Sequence, residues 1–494
     1  MNSKDNTDNS SVFNSIAKST WTIGSSQFIT LIIGIAKTKL TAIFLGNIGM
    51  GVFSILSSLL TLFGSIINLG ISTSAIKEVA SLSKDDNHNL SYTLNGIKKV
   101  IVILGIIGSM AMIVFSSLLS SMIFGDKNYS FSIILLSIAL FFNQITHIGI
   151  IQLRGLRKLK SLARANVSGA FLGFIISIPM YYFWRIDAIV PVLIVSSLLT
   201  YARSKYYVKD ITIEKTDITI RESFNRSSKM IKTGIALSIS SILTLASSFF
   251  IRMFIKEEGG FKDVGLYHAG FLILNNYFGI VFTVLSTDFF PRLSSLINNS
   301  KESKKLIENQ LIFGLSILSP IICALIIFNT FFIRVLFSSK FQLISEMLTW
   351  AFLGIYFKLI GWINSYIILC HDNVRLYTIS EIFGITTQLI LSILCYYNFG
   401  LSGLGIAYLL SFMIYLIQTS FLVRKIHKFQ INKSTWTLFF IHLILGVACF
   451  IVSSKLKLNL FVSLIPMLMS ILLSLHETSK HGLWKKILSK LLIK

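Results

Sequence analysis

The chain has 494 residues, of which 53% are hydrophobic and only 13% charged, and its mean hydropathy is +0.74. Soluble domains carry roughly twice that charged fraction, so a soluble globular protein is excluded. The formal net charge of +24 would point to nucleic acid in a soluble chain. Here a lipid bilayer accounts for it, and no nucleic-acid partner is expected.

In chain order, residues 1–19 read as an N-terminal tail, polar and disordered over Met1 to Ser10, with no signal peptide ahead of the first apolar block. Apolar blocks of about 18–28 residues follow, long enough to cross ~30 Å of hydrocarbon as helices. The blocks are continuous, not alternating, which argues against a transmembrane barrel. The pattern predicts an all-α polytopic membrane protein with spans near 20–45, 48–72, 99–124, 130–152, 165–184, 187–202, 233–255, 264–290, 309–333, 343–370, 376–397, 401–423, 435–453 and 458–475. The sixth is the weakest, and Pro191 near its start is expected to bend it. These spans divide into an N-lobe (20–202), a polar linker (203–232), a C-lobe (233–423), two extra spans (424–475) and a basic tail (476–494). In the tail Trp484, Ile487, Leu488 and Leu491 recur at helical spacing among lysines, predicting an amphipathic helix on the inner leaflet. Cys323, Cys370, Cys395 and Cys449 lie in or beside apolar blocks without CxxC pairing. They read as small hydrophobes, with neither a disulfide framework nor a metal site.

Charge sets the expected orientation. With the N-terminus inside, 33 of the 45 Lys and Arg fall in cytoplasmic segments and eight outside, while Lys37, Lys39, Arg252 and Lys358 fall within spans. That asymmetry is a positive-inside signal and places both termini in the cytoplasm. The two sets of six spans carry a weak internal repeat. Gly51, Ser72, Thr73, Ser81 and Leu82 recur 214 residues later as Gly265, Ser286, Thr287, Ser295 and Leu296, with Phe53 matching Tyr267. An even number of spans separates the copies, so the repeat is parallel, as in carriers whose halves rock about a central site.

Enzymatic signatures are missing. There is no Gly-x4-Gly-Lys, and His476-Glu477 with His481 is one residue too long for a zinc pair on one helix face. No large extracytoplasmic loop or set of catalytic carboxylates suggests a membrane polymerase, so neither catalysis nor a cofactor is expected.

The polar residues inside the spans carry the remaining information. Lys358 lies near the middle of the tenth span, too deep to snorkel easily, and a central lysine costs about 2.5–3.5 kcal/mol on insertion scales. It is expected to face a bundle interior or hydrated cavity, with Gly354, Gly361, Trp362 and Ser365 on its helix face and Trp362 available to stack on sugar. Lys37 shares a face with Gln27, Thr30, Gly34, Thr38 and Thr41, and Arg252 holds nearly the equivalent place in the second half. Lys37, Arg252 and Lys358 are thus expected to line one central cavity. Asn143 and His147 form a further stripe ending at Arg154, and Asn275 and Asn276 lie deep in the eighth span. Among acids, Glu381 lies furthest into a C-lobe span, and Asp288 sits at the end of the eighth beside Arg292. Both are candidate ion-coupling groups, with a fixed ion pair the alternative for each. An interior with several cations and few acids suits an anion. An exporter of organic cations calls for the opposite sign.

The segment Ser286-Thr287-Asp288-Phe289-Phe290-Pro291-Arg292-Leu293-Ser294 is similar to the A-T-D-Y-Y-P-R-L-S signature of the bacterial O-antigen translocases, polysaccharide transporters of the multidrug/oligosaccharidyl-lipid/polysaccharide exporter superfamily. Ile35-Ala36-Lys37-Thr38-Lys39, leading to Leu45-Gly46 and Gly49-Met50-Gly51, is similar to R-T-K … L-G-P-x-G-x-G. Ser380-Glu381 and Gly403-Leu404-Gly405 fit the later spans. The chain departs from the pattern in having Lys37 where Arg is common, which keeps the charge but loses a bidentate fork for phosphate. The resemblance implies a MATE-like fold of two six-helix lobes with two extra C-terminal helices. It also implies a flippase that moves undecaprenyl-pyrophosphate-linked oligosaccharide from the inner to the outer leaflet of the cell inner membrane, driven by an ion gradient. Membrane lipids, and the polymerase and chain-length proteins of the same pathway, are the further partners it suggests. A drug antiporter of the same fold and a membrane polymerase are the alternatives.

Overall fold

In the computed structural model the described residues, 4–82, 87–211, 214, 219–371, 373–455 and 460–480, are almost wholly helical. The first helix, α1 (Lys4–Asn68), is followed by a short α2 (Ile71–Ser81), then α3 (Asn87–Val114), α4 (Ser116–Phe124), α5 (Ser130–Gly155), α6 (Leu159–Trp184) and α7 (Ile189–Val208). Next come α8 (Ile220–Leu272), a π-helical turn at Ile273–Tyr277, α9 (Phe278–Leu296), α10 (Ser300–Ile327), α11 (Asn329–Leu336), α12 (Ser345–Cys370), α13 (Val374–His427), α14 (Lys433–Phe450) and α15 (Leu460–Lys480).

Among the described residues, ten stretches are long and apolar enough to cross a membrane. Four of them, Gly24–Asn68, Leu159–Val208, Ser238–Leu296 and Val374–His427, run to 45–59 residues, about twice a single crossing. Each is a hairpin folded at one backbone position: Gly46 (φ 65, ψ −169), Arg185 (φ 47, ψ −120), Gly260 (φ 71, ψ −177) and Gly400 (φ 57, ψ −140). With the six single crossings this makes fourteen. A positive φ with extended ψ is nearly closed to residues bearing a Cβ, which is why glycine occupies three of the four folds.

The folds also reveal the repeat. Gly46 and Gly260 stand 214 residues apart with nearly the same dihedrals, the offset found for Gly51 and Gly265. Arg185 and Gly400 are counterparts in the same sense. So are Phe115 and Phe328, each of which interrupts a span ahead of a short helix and donates its N–H to a carbonyl four residues back, Ala111 and Ala324, at 2.9 Å.

The chain forms two compact units, 1–249 and 250–494. In the first, α2 lies amphipathically against the bundle end, its Ile71, Ala75 and Val79 packed with Leu94, Ile97, Val100 and Ile101 of α3, Ile151 of α5 and Met230 of α8. Buried side chains of this size contribute roughly 1.5–3 kcal/mol each. Just before α2, Gly70 (φ 66) meets the backbone of Gly234, where a Cβ would come within 2.6 Å of the Leu69 carbonyl oxygen. In the second unit, Ser319 of α10 bonds both Tyr356 of α12 and Ser470 of α15 at 2.9 Å. All four cysteines are free and buried.

Three expectations need correction. Helix α1 begins at Lys4, so the polar N-terminal segment is helical from there, with no Gly or Pro to interrupt it before Gly24. Pro191 is the third residue of α7, within the first turn, where the missing N–H has no helical partner to lose. The linker is shorter than its polarity suggests, because α7 runs to Val208 and α8 starts at Ile220. Thr219 and Glu222 cap α8 reciprocally, with Thr219 N–H donating to Glu222 Oε2 at 2.9 Å and Glu222 N–H to Thr219 Oγ1 at 3.2 Å. Residues 481–494, where the amphipathic tail helix is expected, lie outside the described residues.

Candidate functional site

The second unit holds the densest set of candidate side chains. Lys358 projects from α12 into a box of aromatic rings. Its Nζ lies 5.3 Å from the centroid of Phe282 of α9 and 5.7 and 5.0 Å from those of Tyr408 and Phe412 of α13. It also donates to Tyr408 Oη at 3.2 Å. Among the described residues no carboxylate pairs with it, whereas Lys256 pairs with Glu257 and Asp288 with Arg292. Ring quadrupoles offset part of the desolvation of an ammonium while leaving it a net cation.

Arg252 of α8 is 6% exposed, with its guanidinium 5.6 and 5.5 Å from the ring centroids of Tyr267 and Phe271. Rings from both groups, Tyr267 and Phe271 beside Arg252 and Tyr408 beside Lys358, line one small cavity of about 20 Å³ together with Gln388 and Ser392 of α13 and the apolar Leu274, Met347, Ala351 and Leu404. That volume suits one water. The aromatic partners of Arg252 and Lys358 thus meet at one small, largely apolar space within the second unit, which neither cation itself lines.

Glu381 of α13 is held by Tyr415, whose Oη donates to Glu381 Oε1 at 2.5 Å. The Tyr415 ring slots between two glycines: a Cβ on Gly361 of α12 would come within 2.7 Å of it, and one on Gly384 of α13 within 2.9 Å. Gly354 likewise lies against Tyr408 and Leu409. Gly354 and Gly361 thus admit α13 to α12 and do not open a lumen, correcting the expected stripe. Trp362 joins an aromatic cluster, 5.3 Å from Phe282, 6.3 Å from Phe289 and 4.9 Å from Tyr366. Asn275 falls in the π-helical turn, a local widening common at functional sites. Asp288 is exposed and paired with Arg292 at 3.1 Å.

In the first unit Lys37 is half-buried on α1, its carbonyl accepting from Thr41 Oγ1 at 2.8 Å. Gln27 is exposed, while Asn143 and His147 are half-buried on α5. The buried amide beside them is Gln144, 2% exposed, which donates to the Gly64 carbonyl at 2.7 Å and accepts from Asn68 at 3.4 Å. Sequence reasoning passed over Gln144, Tyr267, Phe271, Tyr408, Phe412 and Tyr415. The spacing of the rings from one another, i+4 between Tyr267 and Phe271 and again between Tyr408 and Phe412, is the one signal that marks paired rings on a helix face.

A helical bundle with a parallel repeat, long apolar helices and cations buried among aromatic rings defines a multi-pass membrane protein. The comparisons agree. The chain aligns with the lipid II flippase MurJ in its inward closed conformation at a TM-score of 0.69 and 18% identity, covering 93% of this chain and 98% of that one. It aligns with an inward-facing multidrug resistance MATE family transporter of the MOP superfamily at 0.60 and 16%, covering 84% and 95%. A Shigella flexneri protein named "Putative O-antigen transporter" is 24% identical over 365 residues, 70% of this chain and 83% of that one. Residues 22–346 match the family described as "Polysaccharide biosynthesis protein", and the chain belongs to that family.

Proposed function

We propose that this protein flips a lipid-linked oligosaccharide across the cytoplasmic membrane by alternating access, with an undecaprenyl-pyrophosphate carrier as the lipid. The observation that carries this is Lys358: a cation deep in an apolar helix, with aromatic rings and no carboxylate around it. A lipid tail can remain in hydrocarbon, but a pyrophosphate and its sugars cannot cross it unaided. A hydrated, positively charged interior removes that barrier. Lys358 and Arg252 supply the charge in the second unit and Lys37 in the first, with Gln27, Asn143, His147, Asn275 and Trp362 as polar or stacking groups for sugar. Positive-inside charge supports cytoplasmic termini in the inner membrane. Glu381, set in its span with Tyr415 as donor, is the proposed proton-exchanging group.

The test is chemical. A strain lacking the protein should accumulate the unflipped lipid-linked unit on the inner leaflet, with the wild-type chain clearing it and Lys358→Ala failing to do so. Clearance by Lys358→Ala at wild-type protein levels would overturn the assignment of Lys358. Absence of any accumulation would overturn the flippase reading.

A further inference from the structure

The connection from α13 to α14 borders a second cavity, this one polar and distinct in its residues from the one beside Lys358. About 360 Å³ lies among the start of α10, the end of α12 and the end of α13, lined by Ser300, Ser303, Lys304, His371, His427 and Lys428, with apolar walls from neighbouring isoleucines. It lies at the cation-rich end of the second unit, the side assigned above to the cytoplasm.

Three features distinguish it from leftover space. The titratable groups lining it are Lys304 from α10, His371 just after α12, and His427 and Lys428 from the end of α13, and among the described residues no carboxylate lines it. Next, the imidazoles of His371 and His427 stack with centroids 4.0 Å apart and planes 32° apart. The Nδ1 of His371 is 2.9 Å from the Ile367 carbonyl oxygen, which fixes its proton there. The Nε2 of His427 is buried without a hydrogen-bond partner among the described residues. Finally, Lys428 adopts a left-handed backbone (φ 52, ψ 22) at the helix C-terminus, a position where glycine or asparagine is usual. A long cationic side chain is kept where the backbone disfavours it, and that side chain lines the cavity. Strain of this kind is characteristic of functional positions.

We propose that this cavity binds a phosphate group, either the headgroup of an anionic phospholipid or free phosphate. A tetrahedral oxyanion accepts from several directions at once. Here it takes the ammonium groups of Lys304 and Lys428 as compact charges and the Nε2–H of His427 as a directional donor, while the first turn of α10 adds its dipole. No arginine fork lines the cavity to favour a planar carboxylate. The site is independent of the flippase reading, since none of its residues serves the Lys358 box or the Tyr415–Glu381 pair.

The experiment uses the full-length protein in phosphatidylcholine nanodiscs and reads the thermal unfolding midpoint. One arm titrates inorganic phosphate against chloride at matched ionic strength. The other replaces part of the phosphatidylcholine with phosphatidylglycerol. A raised midpoint in the first arm identifies free phosphate as the ligand, and a rise confined to the second identifies the headgroup. Lys428→Gly relieves the left-handed strain, so its unliganded midpoint should hold or rise while its apparent affinity falls about tenfold or more. His427→Asn should weaken binding similarly without a volume defect. No rise in either arm, or an equal rise in both variants, would overturn the site.

Discussion

Tyr415 and Glu381 form one mechanical and electrostatic unit: the phenol donates to the carboxylate while its ring is gripped by Gly361 and Gly384. The grip leaves the ring no room to swing away without parting α12 from α13. If Glu381 exchanges protons during transport, Glu381→Gln should still bind lipid-linked substrate yet fail at uphill turnover, with the pH dependence of flipping flattened. A variant that flips normally across the pH range would reduce Glu381 to a packing partner. Gly384→Ala tests the grip separately and should destabilise by about 1–3 kcal/mol through overpacking, read as a lower unfolding midpoint.

Lys358→Ala should insert at least as well as wild type, because removing a central lysine lowers the insertion cost by about 2.5–3.5 kcal/mol. Flipping should fall by at least tenfold. Lys358→Arg keeps the charge but must fit a planar group among Phe282, Tyr408 and Phe412, so partial activity is expected. Quantifying the accumulated lipid-linked unit against membrane protein level separates transport from insertion.

The four hairpin folds predict opposite responses to the same kind of change. Gly260→Ala places a Cβ on a backbone with φ 71 and should destabilise by about 1–3 kcal/mol. Arg185→Gly removes one from a backbone with φ 47, where strain relief outweighs glycine's extra chain entropy by about 1 kcal/mol. Unfolding midpoints in one detergent should therefore move down for the first and up for the second.

At the start of α8, the hydrogen bonds from the Thr219 backbone and hydroxyl hold the Glu222 carboxyl below its ordinary 4.5. A lowered native value means the cap is fully stabilising above about 4.5 and is lost as pH falls through the native value. The protection of the amides at residues 220–223, measured against their intrinsic exchange rates, should fall at acid pH in wild type. Glu222→Ala, which removes the acceptor, should show that loss of protection at pH 7 already, with little further change on acidification. An unaltered profile in that variant would contradict the capping role.

Much of the fold is legible in hydropathy, because a crossing must present some twenty apolar residues whatever it packs against. The short helices α2, α4 and α11 are less so: each is 8–11 residues, and its apolar residues merge with the adjoining span or stop before a period is established. Charged residues were visible because charge in hydrocarbon is rare. Their partners were not, since Tyr408 and Phe412 look like any lipid-facing aromatics until α13 is seen against α12. Gln144 and Asn364 illustrate the same limit. Asn364, 1% exposed, donates to Ser420 at 3.0 Å, and only a bond between distant residues distinguishes such an amide from one lining a pore.

The hairpin folds also restrict how such a chain can vary in length. Where a single glycine joins two spans, an inserted residue finds no slack. It turns the following helix by 100° and carries a polar face round to the lipid. Across the first fold of each half, from Gly46 to Gly51 and from Gly260 to Gly265, the two halves stay in step at 214 residues. The spacing slips by one only after intervening connections, to 213 at Phe115 and Phe328 and to 215 at Arg185 and Gly400. Descendants of a duplicated ancestor would thus be free to gain or lose residues between hairpins and barred from doing so within them.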